Sequence, residues 1–148
     1  MNVKRKRIIL TTIILLVVIV ACFVWYIFTV KFNDTKDEKP AFNVKALDLI
    51  HEFKTNDSLA NKKYAEKILT VSGLVTEIES ADSTLNIKLG DTLTGSYAIF
   101  AFQQQHLNEA KSIKKGDSIS IKGSCSGGAY SEILESEFIT FKRCAINK

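Results

Sequence analysis

Twenty-three consecutive residues, Ile8 to Val30, contain no charge, no Gly and no Pro. As an α-helix such a run is about 34 Å long at 1.5 Å per residue. That length covers a hydrocarbon core about 30 Å thick with slight tilt. A stretch this apolar must leave water, into lipid or into a core. The 118 residues that follow are enough for one small core and too few for two. The chain therefore divides into a basic head (1–7), an apolar span (8–30) and one folded domain beyond a short tether (31–42).

Orientation follows from charge. Lys4, Arg5, Lys6 and Arg7 precede the span and mixed charge follows it, which predicts a cytoplasmic N-terminus and a single pass across a bacterial inner membrane. Trp25 and Tyr26 fall near the far end, where amphipathic aromatic rings suit the interface. The domain is then periplasmic or otherwise extracytoplasmic. A cleaved secretory signal would need small residues at its end, and no A-x-A-like pattern closes this run. A second alternative stays open. Ile19-Val20-Ala21-Cys22 is similar to a bacterial lipobox, in which Cys22 would be lipidated and become the mature N-terminus. Phe23 to Phe28 continues the apolar run where a lipoprotein normally turns polar. Both readings put the domain on the same side of the membrane.

The formal charge of +4 resides in the head. Four of the 20 basic residues are Lys4 to Arg7, and the other 16 are matched by all 16 Asp and Glu beyond Val30. A phosphate-neutralising protein usually concentrates Lys and Arg on one face. Here only pairs occur, Lys62-Lys63 and Lys114-Lys115.

After a polar tether holding the only proline, Pro40, the pattern becomes helical. Asn43 is a plausible N-cap, and Val44, Leu47, Ile50 and Phe53 recur at three- and four-residue spacing. Asn56-Asp57-Ser58 caps a second short helix with Leu59, Ala60 and Tyr64, completing a helical lead-in over 43–66. The period then changes to two. Lys67 to Ser80 is a long strand with a bulge or bend expected at Gly73, and Ala81-Asp82-Ser83 is a turn. Leu85, Ile87 and Leu89 alternate with polar residues in a second strand, and Ser96 to Phe102 is a third. Gln103 to Ile113 returns to helical spacing. Ile119 and Ile121 mark a fourth strand, Ser126 to Glu137 a loop, and Phe138 to Ile146 a fifth strand.

The fold class is thus mainly β with α, in the order β-β-β-α-β-β over 67–148. A three-stranded meander, one helix and a terminal hairpin is the topology of the five-stranded OB-fold barrel. Closing the sheet removes edges that a five-stranded antiparallel sheet would expose. The helix after strand three would plug the barrel with Leu107, Ala110 and Ile113. An open sheet packed on the leading helix is the alternative with the same elements.

Several stretches also resemble a known family. They are Ala60-Asn61-Lys62-Lys63-Tyr64, Val71-Ser72-Gly73-Leu74-Val75, Lys115-Gly116-Asp117-Ser118-Ile119-Ser120-Ile121-Lys122-Gly123-Ser124-Cys125-Ser126-Gly127 and Cys144-Ala145-Ile146. Together they are similar to the bacterial tRNA_anti-like group, small OB-fold proteins often carried behind a membrane anchor or lipoprotein signal. The resemblance covers Val44 to Ile146 and implies a barrel of anticodon-binding type, hence single-stranded nucleic acid as one ligand class.

An OB-fold binds through its second and third strands and the flanking loops. With Leu85, Ile87, Phe100 and Phe102 inward, the outward set is Asn86, Lys88, Tyr97 and Ile99, the candidate ligand face. A base-stacking platform combines several aromatic faces with cations, and this face offers one of each. The neutral domain therefore favours a protein, peptide or glycan partner in the envelope, with nucleic acid or a purely structural role in an envelope complex as alternatives. Cys125 and Cys144 can form a disulfide outside the cytoplasm or remain two small apolar residues. Neither His51 nor His106 has metal-ligand spacing, no phosphate loop is present, and Ser124 and Cys125 lack an identifiable catalytic partner. A non-catalytic module without cofactor or metal is expected.

Overall fold

The computed structural model describes residues 3–29, 34–81 and 83–147. The end of the apolar run at Val30, the tether residues 31–33 and Asp82 in the expected turn lie outside the described residues. Two compact units are present, Met1–Asn33 and Asp34–Lys148.

The first unit holds helix α1 (Val3–Thr29). Its Arg7–Thr29 stretch has a mean hydropathy of 3.1 and no buried residue, long and apolar enough to cross a membrane. Its hydroxyls are satisfied inside the helix, Thr12 Oγ1 donating to the Ile8 carbonyl (2.9 Å) and Thr29 Oγ1 to that of Trp25 (2.7 Å). A helix in lipid needs this internal satisfaction, because no water is there to supply it.

The second unit is built from β1 (Phe42–Lys45), α2 (Ala46–Thr55), α3 (Asp57–Tyr64), β2 (Ile68–Ala81), β3 (Thr84–Gly90) and β4 (Tyr97–Phe102), then α4 (Leu107–Ala110), β5 (Ser118–Ser131) and β6 (Ser136–Ile146). β2 pairs along its second half with β3 and along its first half with β5, β3 pairs with β4, and β5 with β6, all antiparallel. The parallel pairing of β4 with β6 closes the ring. The result is the five-stranded OB-type barrel, and the closing pairs exclude the open-sheet alternative. Leu69, Val71, Ile87, Leu89, Phe100, Ile121, Ile139 and Phe141 fill it, each fully buried.

Helices close both mouths. α2 touches all five barrel strands and buries Leu49, Ile50 and Phe53. Leu107 and Ala110 enter from the opposite end, with Ile113 packed against the core, as the spacing predicts. Asn56 caps α3 as expected, its side chain accepting from the Leu59 amide at 3.0 Å. Tyr64 is buried where α2 meets α3, its hydroxyl donating to Glu52 at 3.0 Å.

Four local expectations are corrected. Asn43 does not cap a helix, because Phe42–Lys45 is drawn into parallel pairing with Leu69–Ser72, and α2 starts at Ala46. The Gln103–Ile113 helix shrinks to a 3-10 turn over Gln104–His106 followed by the single turn of α4. Ser126–Glu137 is mostly strand: β5 continues to Ser131 and β6 begins at Ser136. The bulge in β2 lies at Thr76, between the Val75 and Glu77 pairings. Gly73 serves instead a close approach, since a Cβ there would sit 2.9 Å from that of Ala46.

The polar stretch after residue 33 is latched to the α4 end of the barrel. Asp34 lies 2.8 Å from His106 Nε2 and accepts from Gln105 Nε2 at 2.7 Å, while Lys36 pairs with Glu109 at 3.1 Å. Lys122 Nζ donates to the Lys36 and Glu38 carbonyls. Burial would raise the Asp34 carboxyl, but the hydrogen bonds from His106 and the Lys36 amide outweigh it and hold the group below its usual range.

Candidate binding face of the barrel

Alternation in β3 and β4 decides which side chains leave the core. Leu85, Ile87, Leu89, Ala98 and Phe100 are buried, and Asn86, Lys88, Tyr97 and Ile99 between them are half-buried on the outer surface. The structure brings these four together. Lys88 stands opposite Ile99, Asn86 opposite Ala101, and Tyr97 opposite Gly90, where a Cβ would sit 3.0 Å from Thr76 Oγ1 and 3.4 Å from the Tyr97 Cβ.

Two acidic residues join them from β2. Register places Glu77 opposite Lys88 and Glu79 opposite Asn86. The Lys88 ammonium is 3.1 Å from Glu77 and 2.5 Å from Glu79, and 4.8 Å from the centre of the Tyr97 ring. Burial disfavours the charged lysine, but the two carboxylates more than offset it, so the Lys88 pKa is raised. The hydrogen bond from Lys88 in turn lowers Glu79. The Lys88 side chain is 14% exposed, against 57% and 44% for Glu77 and Glu79. The cation is thus packed along the sheet with its charge committed, while the carboxylates face water, a face of net negative charge.

β6 extends the surface beyond the residues read from the sequence. Phe138 is opposite Tyr97 and Thr140 opposite Ile99, so half-buried Tyr97, Phe138 and Ile99 form a partly apolar strip. The alternation of Phe138 and Thr140 with buried Ile139 and Phe141 signals an outward Phe138. Its neighbour could not be read locally, because β4 and β6 are separated by the whole α4–β5 segment. A cleft of about 160 Å³ opens beside Lys88 and Tyr97, lined further by Thr76, Asp91, Thr92 and Ser96.

The cysteines are three free thiols, Cys22 exposed on α1 and Cys125 and Cys144 buried in the barrel wall. Cys125 stands opposite Phe141, whereas Cys144 Sγ lies against Gly123, where a Cβ would meet it at 2.6 Å. Burial pushes both barrel thiols up, Cys144 well above the usual range. Among the described residues no group of three or more His, Cys, Asp or Glu side chains could hold a metal ion.

The tRNA_anti-like family model matches residues 1–136. The chain belongs to the tRNA_anti-like family. That match takes in the apolar helix as well as the barrel up to the start of β6. Among solved structures, this tRNA_anti-like chain is similar to a protein of Klebsiella pneumoniae subsp. pneumoniae described as a "putative nucleic acid-binding lipoprotein". Identity is 17% and the TM-score 0.56, over 71% of this chain and 91% of that one. Lower similarity extends to the engineered OBody AM3L09 bound to hen egg-white lysozyme, at 13% identity and a TM-score of 0.44 over 57% of this chain and 84% of that one. An asparaginyl-tRNA synthetase of Entamoeba histolytica reaches 14% identity and a TM-score of 0.41, over 73% of this chain and 24% of that one. No curated protein matches the chain. At these identities the likenesses speak to fold alone.

Proposed function

We propose that this tRNA_anti-like protein is a non-catalytic binding module, held at the membrane by an uncleaved α1 with its N-terminus in the cytoplasm. Its outer β3–β4 face takes a protein, peptide or glycan partner outside the cytoplasm. The observation that carries this reading is the double pairing of Lys88 with Glu77 and Glu79. A phosphate chain approaching the strip meets carboxylates first. The half-buried Tyr97, Ile99 and Phe138 with the Asn86 amide suit a partner recognised by apolar contact and neutral hydrogen bonds.

The test uses the full-length chain in its membrane. A photo-crosslinking residue in place of Ile99 should trap one discrete partner, and Tyr97→Ala with Lys88→Ala should cut that yield by about tenfold, as truncating a central aromatic anchor does. The same residue in place of exposed Lys111 should trap nothing. Equal yields with and without the double substitution would reject this face. A C-terminal reporter active only outside the cytoplasm should be on, and fatty-acid labelling that depends on Cys22 would replace the spanning anchor by a lipoprotein. The family name gives single-stranded nucleic acid as a second reading, and the Klebsiella neighbour is itself described as nucleic acid-binding. It requires oligonucleotide binding by the unmodified chain that falls steeply with salt.

A further inference from the structure

At the end of the barrel covered by α2, a buried carboxylate has one oxygen without a partner. Glu137, the second residue of β6, is 2% exposed, and its Oε1 has no hydrogen-bond partner. Its backbone is tied down, the Glu137 amide donating to buried Ser96 Oγ at 3.1 Å. Unpaired buried charge is costly enough that proteins usually eliminate or satisfy it. Glu137 lines a cleft of about 370 Å³, walled by the end of α2 (Phe53, Lys54), the corner into α3 (Asn56, Asp57) and Tyr130 of β5.

The walls restrict what fits. Tyr130 stands opposite Glu137 in the β5–β6 register and is 53% exposed, so an aromatic side chain lies open beside the buried carboxylate. Phe53 forms the floor, because Gly128 lets its ring approach β5 closely; a Cβ there would be 2.6 Å from the ring. Asp57 adds a second negative charge near the mouth. Burial and Asp57 together push the Glu137 carboxyl up, with Lys54 opposing them from a distance. A hard metal ion would find too few oxygen ligands among these groups. An ammonium on an alkyl stem satisfies each of them, charge to the carboxylate and stem to the aromatic walls.

We propose that the Glu137 cleft is a binding site for an alkylammonium group, either a free diamine or a lysine side chain of a partner. It is separate from the β3–β4 face and stands independently of the function proposed for that face. Lys54, which lines the same cleft, is the competing internal cation.

Calorimetric titration of the full-length chain in nonionic detergent tests it, with cadaverine and with an end-capped pentapeptide carrying one central Lys as probes. At least one should bind saturably, 1-pentanol should not, and Glu137→Gln should weaken binding about tenfold or more, the loss of one charge-assisted hydrogen bond. Lys54→Met should tighten it. Binding of cadaverine alone assigns a small amine, and of the peptide alone a protein partner. The proposal is overturned if neither probe saturates, if Glu137→Gln with an unchanged melting curve leaves binding intact, or if Lys54→Met weakens binding.

Discussion

Truncating Phe100 to Ala should destabilise the barrel by about 3–5 kcal/mol, the range for a fully buried aromatic side chain. Phe100 has no exposed surface and stacks on Phe141, ring centres 4.6 Å apart and planes 15° from parallel. The two are register partners in the β4–β6 pairing that closes the ring. A cavity at Phe100 therefore falls on the seam, where flanking side chains are held by strands from distant parts of the chain and can relax only partly. Thermal unfolding of the full-length chain, followed by the β-sheet circular dichroism signal, should drop by roughly 12–20 °C, given about 4 °C per kcal/mol for a domain slightly above 100 residues. Ile99→Ala, one residue away on the outer face, is the control and should cost under about 1 kcal/mol. Equal losses from the two substitutions would mean that β4 is not a wall with distinct inner and outer faces.

The contrast between Phe100 and Ile99 was legible in the sequence, because alternation in β3 and β4 is a local signal and packing upheld it. Asn86, Lys88, Tyr97 and Ile99 came together for the same reason. Their acidic neighbours were not legible as partners. Glu77 and Glu79 flank Ile78 in plain alternation, but the bulge at Thr76 shifts the β2–β3 register and so decides which residues stand opposite Lys88. Short-range signals failed where a nonlocal pairing overrode them. Phe42 and Val44 become strand because β2 offers an edge to pair with, and a parallel partner more than 20 residues away leaves no periodic trace. Ser126-Gly127-Gly128 reads as the start of a loop, yet all three lie within β5. Gly127 adopts φ 106°, and Gly128 admits the Phe53 ring while Asn61 pairs with its backbone amide and carbonyl at 2.9 Å each. The actual turn, between β5 and β6, carries no glycine, and Glu135 takes the positive φ of 49°. That misreading hid Glu137, which a loop would have left in water.

Neutralising Glu77 and Glu79 together, as Glu77→Gln with Glu79→Gln, should convert the face into one that binds single-stranded nucleic acid weakly. In the native protein two carboxylates hold the Lys88 ammonium along the sheet, and each would repel a phosphate approaching Tyr97. The amides keep the size and hydrogen-bonding reach of the originals but release the lysine charge, leaving one cation beside two outward aromatic residues, Tyr97 and Phe138. That is the minimal stacking-plus-charge arrangement of a single-strand platform, where one stacked base is worth about 1–3 kcal/mol. Fluorescence anisotropy with a mixed 12-mer at low ionic strength should show affinity rising about tenfold or more over the unmodified chain, the effect of the restored cation and at least one stacked base. The gain should be modest in its salt response, with a slope near −0.7 in log K against log salt for each phosphate contacted. Lys88→Ala in the same background should abolish it. Were the unmodified chain already to bind the 12-mer with a slope of several units, its phosphate contacts would have to lie away from this carboxylate-guarded face, and the protein-or-glycan reading would give way to the nucleic-acid one.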